Sequence, residues 1–114
     1  MGDERADGLR CDLKVRTREF ALRVIRLYSR LPKSTEAQVI GKQLLRSGTP
    51  VGAHWRESYR ARSDAEFVSK IEVGIQELEE SLYWMELLIE AGIVKADLME
   101  ELMAEANKLM AILI

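Results

Sequence analysis

The sequence predicts an all-α fold: an antiparallel up-down-up-down four-helix bundle whose second helix is kinked near Gly48-Pro50. Three observations carry that expectation. Apolar residues recur at spacings of three, four and seven along most of the chain, which is the period of one helix face. The periodic stretches are parted by short connections at 32–34, 60–63 and 92–94, too short for anything but antiparallel neighbours. Sheet signals are weak, because β-branched residues are scattered and no alternating run of five or more occurs.

The first helix is expected from about Asp12 to Leu31. Leu13, Phe20, Val24, Leu27, Tyr28 and Leu31 form its stripe, and Pro32 stops it. Residues 1–11 form a flexible N-terminal segment in this reading, and residues 12–114 form the bundle domain. Thr35 followed by Gln38 reads as a capping box that opens the second helix. Its stripe is Val39, Ile40, Leu44, Gly48, Val51, Gly52, Trp55 and Tyr59. Pro50 has no N–H for the carbonyl of Arg46, so the helix kinks or breaks there. A true loop at Gly48–Pro50, giving five short helices, is the alternative. Gly48 and Gly52, one turn apart, leave room for another helix to approach closely.

Ser63 with Glu66 is a second capping box, and Asp64 adds negative charge to the first turn. The third helix runs from about Asp64 to Ala91, with Phe67, Ile71, Gly74, Ile75, Leu78, Leu82, Met85 and Ile89 inward. Gly92 suits a left-handed C-terminal cap. The fourth helix covers about Lys95 to Leu113, with Leu98, Leu102, Met103, Ala106, Leu109, Met110 and Leu113 inward. A helix with one apolar stripe is marginal alone, so packing supplies the stability.

Composition limits the chemistry. At 114 residues and 47% apolar there is one domain with one real core. Cys11 has no second thiol for a disulfide or a metal, and no activating environment for nucleophilic catalysis is visible near it. No apolar run approaches a membrane span of roughly 18 residues, and the opening has no apolar stretch of a secretory signal, so the expected location is cytoplasmic, with no membrane partner. His54, the single histidine, stands at i, i+3 from Glu57. A bundle metal site needs Glu-x-x-His motifs with facing carboxylates, and none is present. The pair therefore reads as a packing or hydrogen-bonding element with Arg62 or Arg46. No phosphate-cradling glycine loop occurs either. The expectation is no enzyme, no cofactor, no metal and no catalytic residue.

Charge is the strongest functional signal. Residues 1–62 hold 14 Lys/Arg against 7 Asp/Glu, whereas residues 63–114 hold 3 against 12, an asymmetry hidden by the net charge of −2. Arg23, Arg26, Arg30, Lys42, Arg46, Arg56, Arg60 and Arg62 are candidate nucleic-acid or subunit contacts. Clustered on one surface they could track a phosphate backbone, with Trp55 or Tyr59 stacking bases. They could equally pair with the acidic helices, within one chain or between copies closing a ring. Trp55, Tyr83 and Trp84 are candidates for an oligomer interface, since four short helices do not easily cover them together with the Leu109–Ile114 tail.

Gln43, Arg46, Glu57, Arg62, Ser63, Glu66 and Phe67, at ungapped spacing, resemble the bacterial four helix bundle protein family, also called the 23S rRNA-intervening-sequence proteins. The segments Glu80–Leu88 and Glu90–Val94 are similar to the third-helix ending of one subgroup, and the likeness covers roughly residues 14–94. The resemblance implies a left-handed antiparallel bundle that assembles with itself as a homopentamer. It further implies a nucleic-acid-associated accessory role of the rRNA intervening-sequence type, and some members are encoded within intervening sequences of ribosomal RNA genes. A related accessory protein of diversity-generating retroelements is a basic pentamer that binds nucleic acid and a reverse transcriptase. This chain departs from the pattern at His54, where an Asn is frequent, at Arg56, where a small residue is usual, and in its acidic pI of 5.5.

Overall fold

Five helical segments build the computed structural model, which describes the backbone of residues 2–114 and the side chains of residues 8–114. They are α1 (Gly2–Ser29), α2 (Thr35–Gly48), α3 (Val51–Tyr59), α4 (Asp64–Glu90) and α5 (Ala96–Leu113). No strand occurs among the described residues. α1 begins at Gly2 instead of Asp12. No proline separates residues 8–11 from Leu13, so the helical ladder runs straight through them. The rest of the expected flexible segment, residues 1–7, lies outside the residues with described side chains.

α2 opens one residue earlier than the Thr35–Gln38 box implied. Ser34 is the cap, in extended backbone with its hydroxyl accepting from the Ala37 N–H at 3.4 Å. Gln38 instead ties the α1–α2 corner: its amide donates to the Pro32 carbonyl at 2.8 Å and accepts from the Tyr28 hydroxyl at 2.8 Å. Ser63 caps α4 as expected, accepting from Glu66 N at 3.1 Å. The Glu66 carboxylate reaches back to the N–H of Arg62 at 3.2 Å. Gly92 takes φ +73° after α4. Its N–H then reaches Ile89 O and that of Ile93 reaches Leu88 O, a paired closure open to glycine at little cost.

α2 and α3 form one kinked rod. Thr49 and Pro50 keep right-handed helical dihedrals (φ −76°, ψ −31° and φ −84°, ψ −5°), so there is no looping excursion. Thr49 bonds Leu45 O through both its N–H (3.1 Å) and its hydroxyl (2.6 Å), and the Pro50 carbonyl accepts from His54 N at 3.0 Å. The four rods therefore stand as α1, α2–α3, α4 and α5.

Cross-links fix their directions. Down α2–α3, Ser47, His54 and Glu57 meet Ser81, Glu77 and Lys70 of α4 in reverse order. Gly48 and Gly52 likewise face Val24 and Thr17 of α1, and Gly41 faces Leu31 just past its end. Arg16 of α1 reaches Glu105 of α5, whereas Leu31 lies near Ile93 at the other end. Gly74 of α4 lies against Leu113 of α5. All four seams are antiparallel, and α1 and α4 occupy opposite corners.

The three glycines explain how near α1 and α2–α3 come. A Cβ at Gly41 would lie 2.5 Å from Leu31 Cδ1, one at Gly48 3.0 Å from Val24 Cγ2, and one at Gly52 2.8 Å from Thr17 Oγ1. Phe20, Val24, Leu44, Val51, Leu78, Met85, Leu88, Met99, Ala106 and Leu109 are fully buried between the rods. Three residues expected inward are exposed instead. Phe67 (41% exposed) sits two turns before Gly74, past the end of α5, so α5 does not cover it and it borders a hollow with Leu9, Trp55 and Tyr59. Val39 (55%) follows buried Ala37 by two positions and therefore faces away. Leu98 (73%) yields its inward place to Met99.

Candidate nucleic-acid interface

The candidate cations divide between two sides of the bundle. Arg23, Arg26 and Arg30 border the α1/α5 seam, together with Lys95. Lys42, Arg46 and Arg60 recur at multiples of three to four along α2–α3, on the side opposite buried Leu44, Val51 and Trp55. Arg56 joins Arg18 around a shallow groove of about 380 Å³ between α1 and α3, floored by Thr17 and Gly52. Arg62 lies in the α3–α4 connection, where its N–H serves the α4 cap. Among the described residues, none of the eight predicted cations has an ion-pair partner within 4.0 Å. Arg18 is a cation that the sequence reading missed. Its position on α1 gives no sign of Arg56, because only the close approach of α1 and α3 brings the two to one groove.

Other charges are used inside the chain. Arg16 grips Glu105 with two bonds, Nε at 3.0 Å and Nη2 at 2.7 Å, and has Asp12 at 3.6 Å. The Glu105 hydrogen bond holds the guanidinium pKa above its ordinary value. This one pair joins the basic half to the acidic half between α1 and α5, and none of the eight candidate cations takes part in it.

His54 and Glu57 do not meet Arg62 or Arg46, as the sequence suggested. Both turn to α4, because its antiparallel course sets acidic and basic residues opposite α3. His54 Nδ1 lies 2.8 Å from Glu77 Oε1, and Glu57 pairs with Lys70 at 2.7 Å. One turn further along α4, Ser81 donates to the Glu77 carbonyl (2.8 Å), so its oxygen accepts from Ser47 (2.9 Å). Burial pushes the Glu77 carboxyl above the usual range, against the opposing pull of its His54 hydrogen bond. The Lys70 hydrogen bond holds Glu57 below it.

Glu77 gives a pH prediction. A carboxyl whose folded pKa is raised favours folding fully below the unfolded pKa and loses that contribution as pH rises through the folded value. Glu77→Gln keeps an acceptor for His54 and removes the buried charge. Its melting temperature relative to wild type is therefore expected to be higher at pH 7 than at pH 4. Thermal melts at the two pH values check this, and an equal difference at both rejects the burial account.

The aromatic candidates also separate. Trp55 is 8% exposed and packs edge-on against Tyr59 with centroids 4.7 Å apart. It belongs to the core, so it is removed from the oligomer interface and from base stacking. Trp84 is half-buried and touches Tyr83 edge-on at 5.0 Å, while Tyr83 is 52% exposed. Both indole N–H groups are buried without an acceptor among the described residues, so packing alone holds the rings. Among the described residues no group of three or more His, Cys, Asp or Glu could hold a metal ion. Cys11 is exposed. No helix among the described residues is long and apolar enough to cross a membrane.

The model of the 23S rRNA-intervening sequence protein family matches residues 11–114. The chain belongs to that family. A crystal structure of a protein of unknown function from the S23 ribosomal protein family of Bacteroides thetaiotaomicron is 35% identical, with a TM-score of 0.83 over 89% of this chain and 94% of that one. No curated protein matches. The family match extends the residues that carried the resemblance, roughly 14–94, through the whole of α5.

Proposed function

We propose that this member of the 23S rRNA-intervening sequence protein family is a non-catalytic, homo-oligomeric bundle that associates with RNA or DNA through the outer face of α2–α3. The observation that carries the reading is the row Lys42, Arg46 and Arg60, with Arg56 at the adjoining α1/α3 groove, none of which has a carboxylate within ion-pair distance among the described residues. Cations left without partners on one face of a rod can neutralise backbone phosphates and gain by releasing counterions. Recognition here is of the backbone and not of base identity, since Trp55 is buried away from this face. The absence of catalysis is supported by the engagement of His54 with Glu77 and of Glu57 with Lys70. Self-association is supported by Tyr83, which a single chain leaves half in solvent. The competing reading, an oligomer with no nucleic-acid role, draws on the acidic pI of 5.5.

Fluorescence anisotropy with a labelled single-stranded RNA, its DNA counterpart and a duplex decides between them. Binding is expected at about 50 mM salt, falling steeply by about 200 mM, with log affinity linear in log salt. No binding at low salt, or binding indifferent to salt, leaves the competing reading in place.

A further inference from the structure

The α1/α5 seam opens into a groove of about 570 Å³. Its floor is apolar, with Leu27, Met99 and Leu102, and Leu98 stands at its edge largely in solvent. Arg23, Arg26, Arg30 and Lys95 border it, each without an ion-pair partner among the described residues. An occupant must therefore be anionic and carry an apolar anchor.

The same chain presents that chemistry on α4, which packs on the other side of α5. Glu79, Tyr83, Glu86 and Glu90 follow at intervals of four, three and four along α4, and so share one exposed face. None of these glutamates has an ion-pair partner among the described residues. The spacing also agrees. Glu79 to Glu86 and Arg23 to Arg30 are each two helical turns, about 10.5 Å. Tyr83 stands midway along the first span and Leu27 midway along the second.

We infer that the groove between α1 and α5 receives the Glu79–Glu90 face of α4 from a second copy of this chain, with Tyr83 seated against Leu27 and Leu98. This rests on the homo-oligomer part of the proposed function and assigns its two surfaces. The contact is heterologous, because groove and ridge are different patches, one on the α1/α5 seam and one on the outer face of α4. Each copy can thus hold two neighbours at once. The α2–α3 cations stay outside the contact, so the groove arginines serve assembly and the α2–α3 row serves nucleic acid.

Mass-resolved size measurement tests it on the full chain. Wild type is expected to run as an oligomer of the 13.0 kDa chain. The doubles Arg23→Glu/Arg30→Glu and Glu79→Arg/Glu86→Arg are each expected to run as monomers with unchanged far-UV circular dichroism. An equimolar mixture of the two regains mass, since each variant's altered surface then meets its opposite. Tyr83→Ser weakens assembly by about tenfold or more, as a central aromatic anchor should. In wild type, zero-length cross-linking of mixed light and ¹⁵N-labelled chains joins Lys95 to a glutamate of α4 across copies. That readout stands even if a double variant fails to fold. A monomeric wild type overturns both the homo-oligomer reading and this inference. An oligomer unchanged in both doubles, with no Lys95 cross-link to α4, overturns the inference alone.

Discussion

Phe20→Ala is expected to lose about 3–5 kcal/mol of folding free energy, the usual cost of emptying a buried aromatic site. Phe20 is fully buried on α1, and its ring edge faces Gly48, where a Cβ would come within 3.5 Å of Cε2. Gly48 has no side chain, so none stands on that side to fill the space after truncation. A domain of this size has roughly 5–15 kcal/mol in total. The loss thus removes a large share of it and lowers Tm by at least roughly 12 °C. Phe67→Ala is the control: at 41% exposed it should move stability by no more than about 1 kcal/mol. Chemical denaturation of the two variants beside wild type checks both, and similar losses would reject the placement of either ring.

Arg46→Glu/Arg60→Glu is expected to weaken nucleic-acid binding at least about tenfold at low salt, and to make the salt dependence shallower by roughly 1.4 for a single strand. Both residues lie outside any ion pair among the described residues, on the face away from the core, so the fold should be nearly unaffected. Anisotropy titrations at several salt concentrations give affinity and slope together. A fall in affinity with an unchanged slope would mean that these cations do not touch phosphates.

Much of the fold was legible because helical period and capping chemistry are local. Leu13, Phe20 and Val24 repeat on α1 and are buried, as is Leu31 just beyond it, and Ser63 with Gly92 bracket α4 as their chemistry requires. What escaped the sequence depends on where neighbouring rods end. Phe67 continues the α4 stripe faultlessly, yet α5 stops short of it. Ser34 and Thr35 are both good caps, and only the corner formed by Gln38, Pro32 and Tyr28 selects the first. The candidate site was legible as a composition, not as a surface. Eight cations in one half of the chain gave no sign that they would part to two sides, because that depends on which rods become neighbours. The same holds for His54 and Glu57, whose partners both lie on α4, 23 positions further along the chain in the case of His54.

Three of the four seams join rods that follow one another in the chain, so each needs only a short turn to close. The seam between α1 and α5 has no such turn, and among the described residues it is the thinnest, clasped by Arg16 and Glu105. The molecule is therefore built like a cover hinged along three edges and latched along one. Local opening should begin at that latch, and amide hydrogens lining it should exchange with solvent sooner than those between α2 and α4.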